Sequence, residues 1–260
     1  MGRLEGKGVV VTGASGIAAA GARRFAREGA AVFVVSLDAG ECQALAGEIG
    51  AGWAAADLRD EGAAVAALGA ARAALGRVDG LFAVAGGSGR RHGDGPLHEV
   101  PLAGWEATFA LNGHPPFLAL REALRAMLDQ GSGGTAVLVG SALAAHPSPR
   151  RFATHAYAAV KGAEEALTRT TAAYYARHGI RVNLVAPGLV ATPMAARAAG
   201  DPDTVAYAVR KQPLAGGLLD PAAIADAALF LLSDEARAIT GQVVAIDGGW
   251  SVTEADPGNV

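Results

Sequence analysis

Short runs of consecutive apolar residues alternate along this chain with longer, Ala-rich stretches whose polar positions recur at helical spacing. The runs fall at residues 8–11, 31–35, 78–85, 136–140, 180–186 and 242–246. Near-continuous hydrophobicity of this kind marks strands buried on both faces. Helices are predicted between them, ending near Glu28 and covering 41–49, 105–129 and 156–177. A further strand is expected just before Asp57-Leu58. Strict alternation of strand and helix implies parallel pairing through crossover helices. The expectation is therefore an α/β protein, one domain over 1–260, with a doubly wound parallel sheet of about seven strands. Residues 195–217 mix Ala, Gly, Asp201-Pro202 and Pro213 without a secure pattern and read as a lid over the pocket, or as a plain helical excursion.

Two places carry candidate chemistry. The first strand runs into Thr12-Gly13-Ala14-Ser15-Gly16-Ile17-Ala18 and then a helix. Bare glycine backbone in such a turn admits a pyrophosphate, and the helix amino terminus offers unpaired N–H donors at the positive end of its dipole. Further on, Tyr157 and Lys161 stand four positions apart on one helix face. A phenol ordinarily titrates near 10, about three units above neutrality. Lowering it by roughly three units takes about 4 kcal/mol of preferential phenolate stabilisation, which one partly desolvated ammonium can supply. Ser141 follows the apolar run 136–140, which places its hydroxyl at the carboxyl edge of a sheet, where open α/β folds bind ligands.

With Asp57-Leu58, Ala85-Gly86, Trp105 leading to Asn112, Asn183 to Gly188, Thr192-Pro193-Met194 and Asp247-Gly248-Gly249, the chain resembles the short-chain dehydrogenase/reductase family nearly end to end. The resemblance implies a Rossmann-type fold and an NAD(P)-dependent oxidoreductase interconverting a secondary alcohol and a ketone. It implies Tyr157 as general acid/base, with Lys161 lowering its pKa and holding the nicotinamide ribose. Ser141 would orient the substrate oxygen, and Asn112 would hold a water linking Lys161 to solvent. Thr192 would bind the nicotinamide carboxamide and Asp57 would face the adenine. Gly13, Ser15, Gly16, Ile17, Leu58, Ala85, Gly86, Pro187 and Gly188 complete the expected cofactor contacts. The lesser alternatives are that Asn112 caps a helix kink and that Asp57 forms an Asx turn.

The chain departs from the family pattern in four places. Family members have three residues between the first two glycines of the turn, but here only Ala14 and Ser15 separate Gly13 from Gly16. One residue fewer shortens the reach by up to about 3.5 Å. Ala18 replaces the third glycine, and its methyl is expected to crowd either the helix–strand packing or the phosphate. Ala83-Val84 stands where relatives carry two asparagines, removing amides that tie the central strand to its neighbour. The interval from Ser141 to Tyr157 exceeds the family's usual one, the excess being expected to loop over the pocket.

Cofactor preference is read at the end of the second strand, Ser36-Leu37-Asp38. No Lys or Arg lies in 14–17 or 36–41 to pair a 2'-phosphate, and Asp38 would disfavour one, so NAD is favoured over NADP. Asp38 reads equally well as a helix N-cap.

Composition narrows the partners. A formal net charge of −3 on 260 residues argues against nucleic acid. No apolar run approaches a membrane span, and a cytoplasmic setting is expected. The lone Cys42 lacks metal partners, the His clusters lack zinc spacing, and no metal is expected. Arg90-Arg91-His92, and His146 with Arg150, Arg151 and His155, are basic groups near the pocket that would suit an anionic small-molecule substrate. By resemblance the chain is a homotetramer joined through the helices carrying Asn112 and Tyr157. Two other functions stay open: a 3-oxoacyl reductase acting on carrier-bound substrates, and a non-catalytic scaffold with a degenerate cofactor turn.

Overall fold

The computed structural model describes residues 2–254, so the outermost ends of the expected 1–260 unit lie outside the described residues. Strands β1 (Gly8–Thr12), β2 (Ala31–Ser36), β3 (Gly52–Ala55), β4 (Gly80–Ala83), β5 (Gly134–Val139), β6 (Ile180–Pro187) and β7 (Val243–Ile246) form one parallel sheet in the order β3-β2-β1-β4-β5-β6-β7. Helices α1 (Gly16–Arg27), α2 (Ala39–Ile49), α3 (Glu61–Leu75), α4 (Leu102–Gln130), α5 (His155–Tyr175), α6 (Ala196–Ala199), α7 (Pro202–Lys211) and α8 (Pro221–Leu232) connect them. Successive strand residues face opposite sides of the sheet, so each strand feeds two cores. Val10, Phe33, Leu81, Leu138 and Leu184 pack under α3 and α4, while Val9, Val11, Phe82, Val137 and Val185 pack with Phe25 of α1 and Ile224 and Leu229 of α8. Both faces are therefore sealed, which explains why the strands read as unbroken apolar runs.

Strand order reverses between β1 and β4. In such sheets the crossovers leave in opposite directions and open a crevice at the carboxyl ends of the strands. The tie between these two strands runs through a side chain of β1. Thr12 Oγ1 accepts from the main-chain N–H groups of both Val84 (3.0 Å) and Ala85 (3.1 Å). One buried hydroxyl on β1 thus holds the exit of β4 where asparagine amides are missing.

Several boundaries differ from the sequence reading. The fourth strand is confined to Gly80–Ala83 within the apolar run 78–85. The long helix begins at Leu102 rather than at 105, and contains Pro115 and Pro116. A proline has no N–H to donate four residues back, so the carbonyls of Leu111 and Asn112 lack their helical donors. The segment 195–217 is not patternless: it folds as α6 and α7. In α7, Asp201 caps the helix and Pro202 occupies its first position, the arrangement that starts a helix cleanly.

Thr12→Val keeps the shape of the side chain but leaves two N–H groups unpaired in the interior. It should cost about 1–3 kcal/mol of stability, read as a lowered urea midpoint with an unchanged slope.

Candidate active site

A cavity of about 580 Å³ opens along the carboxyl ends of β1, β4, β5 and β6. Asn112, Ser141, Tyr157 and Lys161 all line it, as do Gly13, Ser15, Gly16, Ile17, Asp57, Leu58, Ala85, Gly86, Pro187, Gly188 and Thr192. Asp38 does not. Its carboxylate accepts from Glu41 N at 2.9 Å as the N-cap of α2, the second of the two roles its position offered. Asp57 lines the cavity and is also an Asx turn: Oδ1 accepts from the main-chain N–H of Arg59 at 3.0 Å, while the Arg59 guanidinium grips both carboxylate oxygens. That hydrogen-bonded pairing holds the Asp57 carboxyl below the usual carboxylate range. Arg59, which the sequence reading did not weigh, also lines the cavity.

The shortened turn consists of Gly13, Ala14 and Ser15 between β1 and α1. Gly13 adopts φ +99°, a conformation open mainly to glycine. A Cβ on it would lie 3.0 Å from the Ala18 methyl. The methyl of Ala18 is therefore absorbed in the helix–strand packing, against a bare Gly13. Across the crevice a Cβ on Gly16 would come within 2.9 Å of Thr192 Cγ2, so turn and Thr192 approach each other closely. Ser15 caps none of the first-turn amides of α1 with its side chain. Bare glycines and uncommitted helix amides beside an elongated cavity suit the pyrophosphate of a dinucleotide, and the residues present fit such a cofactor.

Asn112 is fully buried and its side chain is committed: Oδ1 accepts from Gly87 N at 2.9 Å, and Nδ2 donates to Thr108 O at 3.0 Å. It fastens the loop after β4 to α4. Gly86 is what permits this approach, since a Cβ there would stand 2.8 Å from Asn112 Oδ1. Ser141 Oγ accepts from Leu143 N at 3.2 Å, which leaves its own proton free to point into the cavity.

Tyr157 is set by a residue that the sequence reading missed. The buried carboxylate of Asp94 accepts from the main-chain N–H groups of Ala156 and Tyr157, each at 2.9 Å, and so anchors the first turn of α5. One turn on, Lys161 is 5% exposed. Its Nζ lies 5.8 Å from the Tyr157 ring centroid and donates to Val139 O at 2.9 Å. It also donates to Glu164 Oε1 at 2.8 Å and Oε2 at 3.1 Å. Burial pushes the ammonium down, but the charges of Glu164 and Tyr157 more than offset this and hold it above its ordinary value. Glu164 is a second residue the sequence reading passed over, although its spacing from Lys161 on one helix was visible.

The two basic clusters separate. Arg90, Arg91 and His92 line the cavity. His146, Arg150 and His155 do not; His155 Nδ1 sits 2.7 Å from Gly95 O, and Arg151 reaches Asp201 and Asp203 at 3.7 and 3.5 Å. In their place Arg197 of α6 faces the cavity. The excess between Ser141 and Tyr157 packs over the pocket: Phe152 and Thr154 line it, and Ser148 Oγ donates to Tyr207 Oη at 3.0 Å.

A family model described as Enoyl-(Acyl carrier protein) reductase matches residues 11–251. The solved structure of a short-chain type dehydrogenase/reductase from Mycobacterium ulcerans shares the fold with a TM-score of 0.89 at 28% identity, covering 96% of this chain and 92% of that one. The chain belongs to the short-chain dehydrogenase/reductase family. Among curated relatives, inactive 2-(S)-hydroxypropyl-CoM dehydrogenase 2 of Xanthobacter autotrophicus is 40% identical over 88% of this chain and 98% of its own length. Cis-4-hydroxycyclohexanecarboxylate dehydrogenase of Sinomonas cyclohexanicum is 38% identical over 93% and 95%. The enzyme is an oxidoreductase that interconverts an alcohol and a ketone. Among the described residues no helix is long and apolar enough to cross a membrane.

Removing the anchor of α5 should loosen Tyr157 without touching it. Asp94→Ala is expected to cost about 2 kcal/mol in urea denaturation, and to lower kcat of the surviving folded enzyme more than it raises KM.

Proposed function

We propose that this reductase/dehydrogenase uses NAD(H) to interconvert a free secondary alcohol bearing an anionic group and its ketone, with Tyr157 as general acid/base. The observation that carries the reading is the convergence of Tyr157, Lys161 and Ser141 on one cavity edged by the glycine turn. A bound nicotinamide supplies or accepts the hydride. In ketone reduction the Ser141 hydroxyl donates to the carbonyl oxygen and fixes its position. Tyr157 delivers the phenolic proton to that oxygen, and in alcohol oxidation takes it back. Lys161 stabilises the phenolate from below. The Asn112 carbonyl, deprived of its helical donor by Pro116, is the acceptor we assign to a water that returns the proton from solvent. Leu58 and Asp57 would flank the adenine, and Thr192 the carboxamide.

For the cofactor, Ser36 and Leu37 offer a 2'-phosphate no cation, and Arg59 is already paired to Asp57. These support NAD over NADP. For the substrate, Arg90 is half-buried, and burial together with the Arg197 charge pushes its guanidinium below the usual range, against Asp94. Two like charges facing one cavity favour an anion between them. One relative is named for a hydroxy-carboxylate, and relatives named for free alcohols weigh against a carrier-bound thioester. We assign the lid to α6 and α7, which bring Arg197 to the cavity, and the subunit contacts of a homotetramer to α4 and α5, where Phe117 and Tyr174 are exposed.

Tyr157→Phe should bind NADH as tightly as the native enzyme, and more tightly than NADPH, while turnover falls by about a hundredfold or more; calorimetric titration beside steady-state rates reads both. Undiminished turnover would refute the acid/base role, and tighter NADPH binding would reverse the cofactor assignment. Arg90→Ala and Arg197→Ala should each raise KM about tenfold or more for a hydroxy-carboxylate, with little change for the matched neutral alcohol.

A further inference from the structure

The carboxylate of Glu164 is buried at 3% exposure and has no partner but Lys161: among the described residues its two oxygens accept only from Nζ. The neighbouring Thr168 hydroxyl donates to the Glu164 carbonyl instead. An ammonium has three N–H donors, and the acceptors around Nζ are the Val139 carbonyl and the two carboxylate oxygens. The cation that faces Tyr157 therefore carries its counter-charge on its far side, one turn further along the same helix. Other charges on the surrounding elements are committed elsewhere. Arg121 and Arg125 of α4 hold Glu122, Arg181 of β6 holds the carbonyls of Leu231 and Ser233, and Arg169 holds Glu165. Asp94 binds the first turn of α5, and His155 meets Gly95 O. Tyr157 is the titratable group, besides Glu164, whose charge reaches Lys161.

We propose that Glu164 is a positioning residue which keeps Lys161 a cation throughout the working pH range and, by opposing its field, moves proton release by Tyr157 to higher pH. The inference rests on the acid/base assignment of Tyr157 made above. Two electrostatic consequences follow from the geometry. A buried ammonium without a counter-charge discharges readily, and Glu164, in direct contact, prevents this. The same negative charge stands about two helical turns along α5 from Tyr157, against about one for Lys161, yet still raises the free energy of a phenolate. Glu164 touches Lys161 directly, so its charge acts more strongly on the ammonium than on the phenol. The enzyme is thereby tuned toward alkaline alcohol oxidation, with a wide upper limit. Without Glu164, both the acid limb, where the phenol ionises, and the alkaline limb, where the ammonium discharges, move down in pH.

The test is the pH profile of kcat/KM for alcohol oxidation by Glu164→Gln, which keeps the size and one of the two acceptor oxygens while removing the charge. Both limbs should move acidward by about one pH unit or more, so that on the native acid limb the variant gains about tenfold relative to the native enzyme. Glu164→Leu carries the same expectation should the amide impair folding. Ultraviolet difference titration of the phenolate, with Tyr157→Phe as the blank, should show the same displacement independently of turnover. A uniform fall in rate with an unmoved profile and unmoved titration would overturn the proposal, as would an alkaline shift. An active Tyr157→Phe enzyme would instead overturn the underlying assignment, so the two failures are distinct.

Discussion

An ammonium almost wholly buried between a helix and a sheet must find its partners within the protein, and the site is organised around that fact. Lys161 reaches the last carbonyl of β5, the oxygen of Val139, and so fixes how α5 docks against the sheet edge. Because a buried charge is costly unless paired and hydrogen-bonded, the side chain is held in one place, and Tyr157, a turn earlier on the same helix, is held with it. Asp94 completes the restraint from the opposite end by gripping the first amides of α5. The phenol is thus positioned by two buried charges, neither of which it touches directly. Ser141, two residues beyond Val139, inherits its place from the same strand end.

Around this point the molecule trades side-chain bulk for closeness. The Ala-rich faces of α1 and α3 bring helices near the sheet, and the bare Cα atoms of Gly13, Gly16 and Gly86 admit Ala18, Thr192 and Asn112 respectively. The shortened glycine turn lies close to Thr192, and the methyl of Ala18 packs against the bare Gly13. Likewise the lost asparagine amides beside β4 are replaced by one hydroxyl on β1.

Strand order and helix alternation were legible in the sequence because parallel strands buried on both faces leave unbroken apolar runs, as in Val9-Val10-Val11 and Ala136-Val137-Leu138-Val139. Tyr157 and Lys161 were legible because their relation is local, one helical turn. Asp94 was not, since the amides it serves lie on α5, far along the chain, and nothing in its surroundings marks it. Asp38 stayed two-valued for a different reason: a carboxylate after a strand serves equally as a helix cap or as a ribose ligand, and only the fold shows which N–H it meets. Glu164 had a readable spacing, but a carboxylate three residues from a lysine is usually a solvated surface pair. Its burial comes from the packing of α5 against α4 and β6, which one sequence does not display. The segment 195–217 hid two helices because its prolines and glycines sit at helix starts and ends.

The indole of Trp250 is buried behind Phe152, a residue of the cavity wall. Its Nε1 donates to His146 O at 3.1 Å, and its ring meets those of Phe152 at 5.9 Å and Tyr207 at 5.6 Å. Three stretches remote in sequence, the loop before α5, helix α7 and the chain's carboxyl-terminal region, thus share one aromatic hub. Residues in mutual contact rarely contribute additively. Stability at this hub is consequently an epistatic trait: a substitution in any one of the three stretches changes the background on which replacements in the other two act.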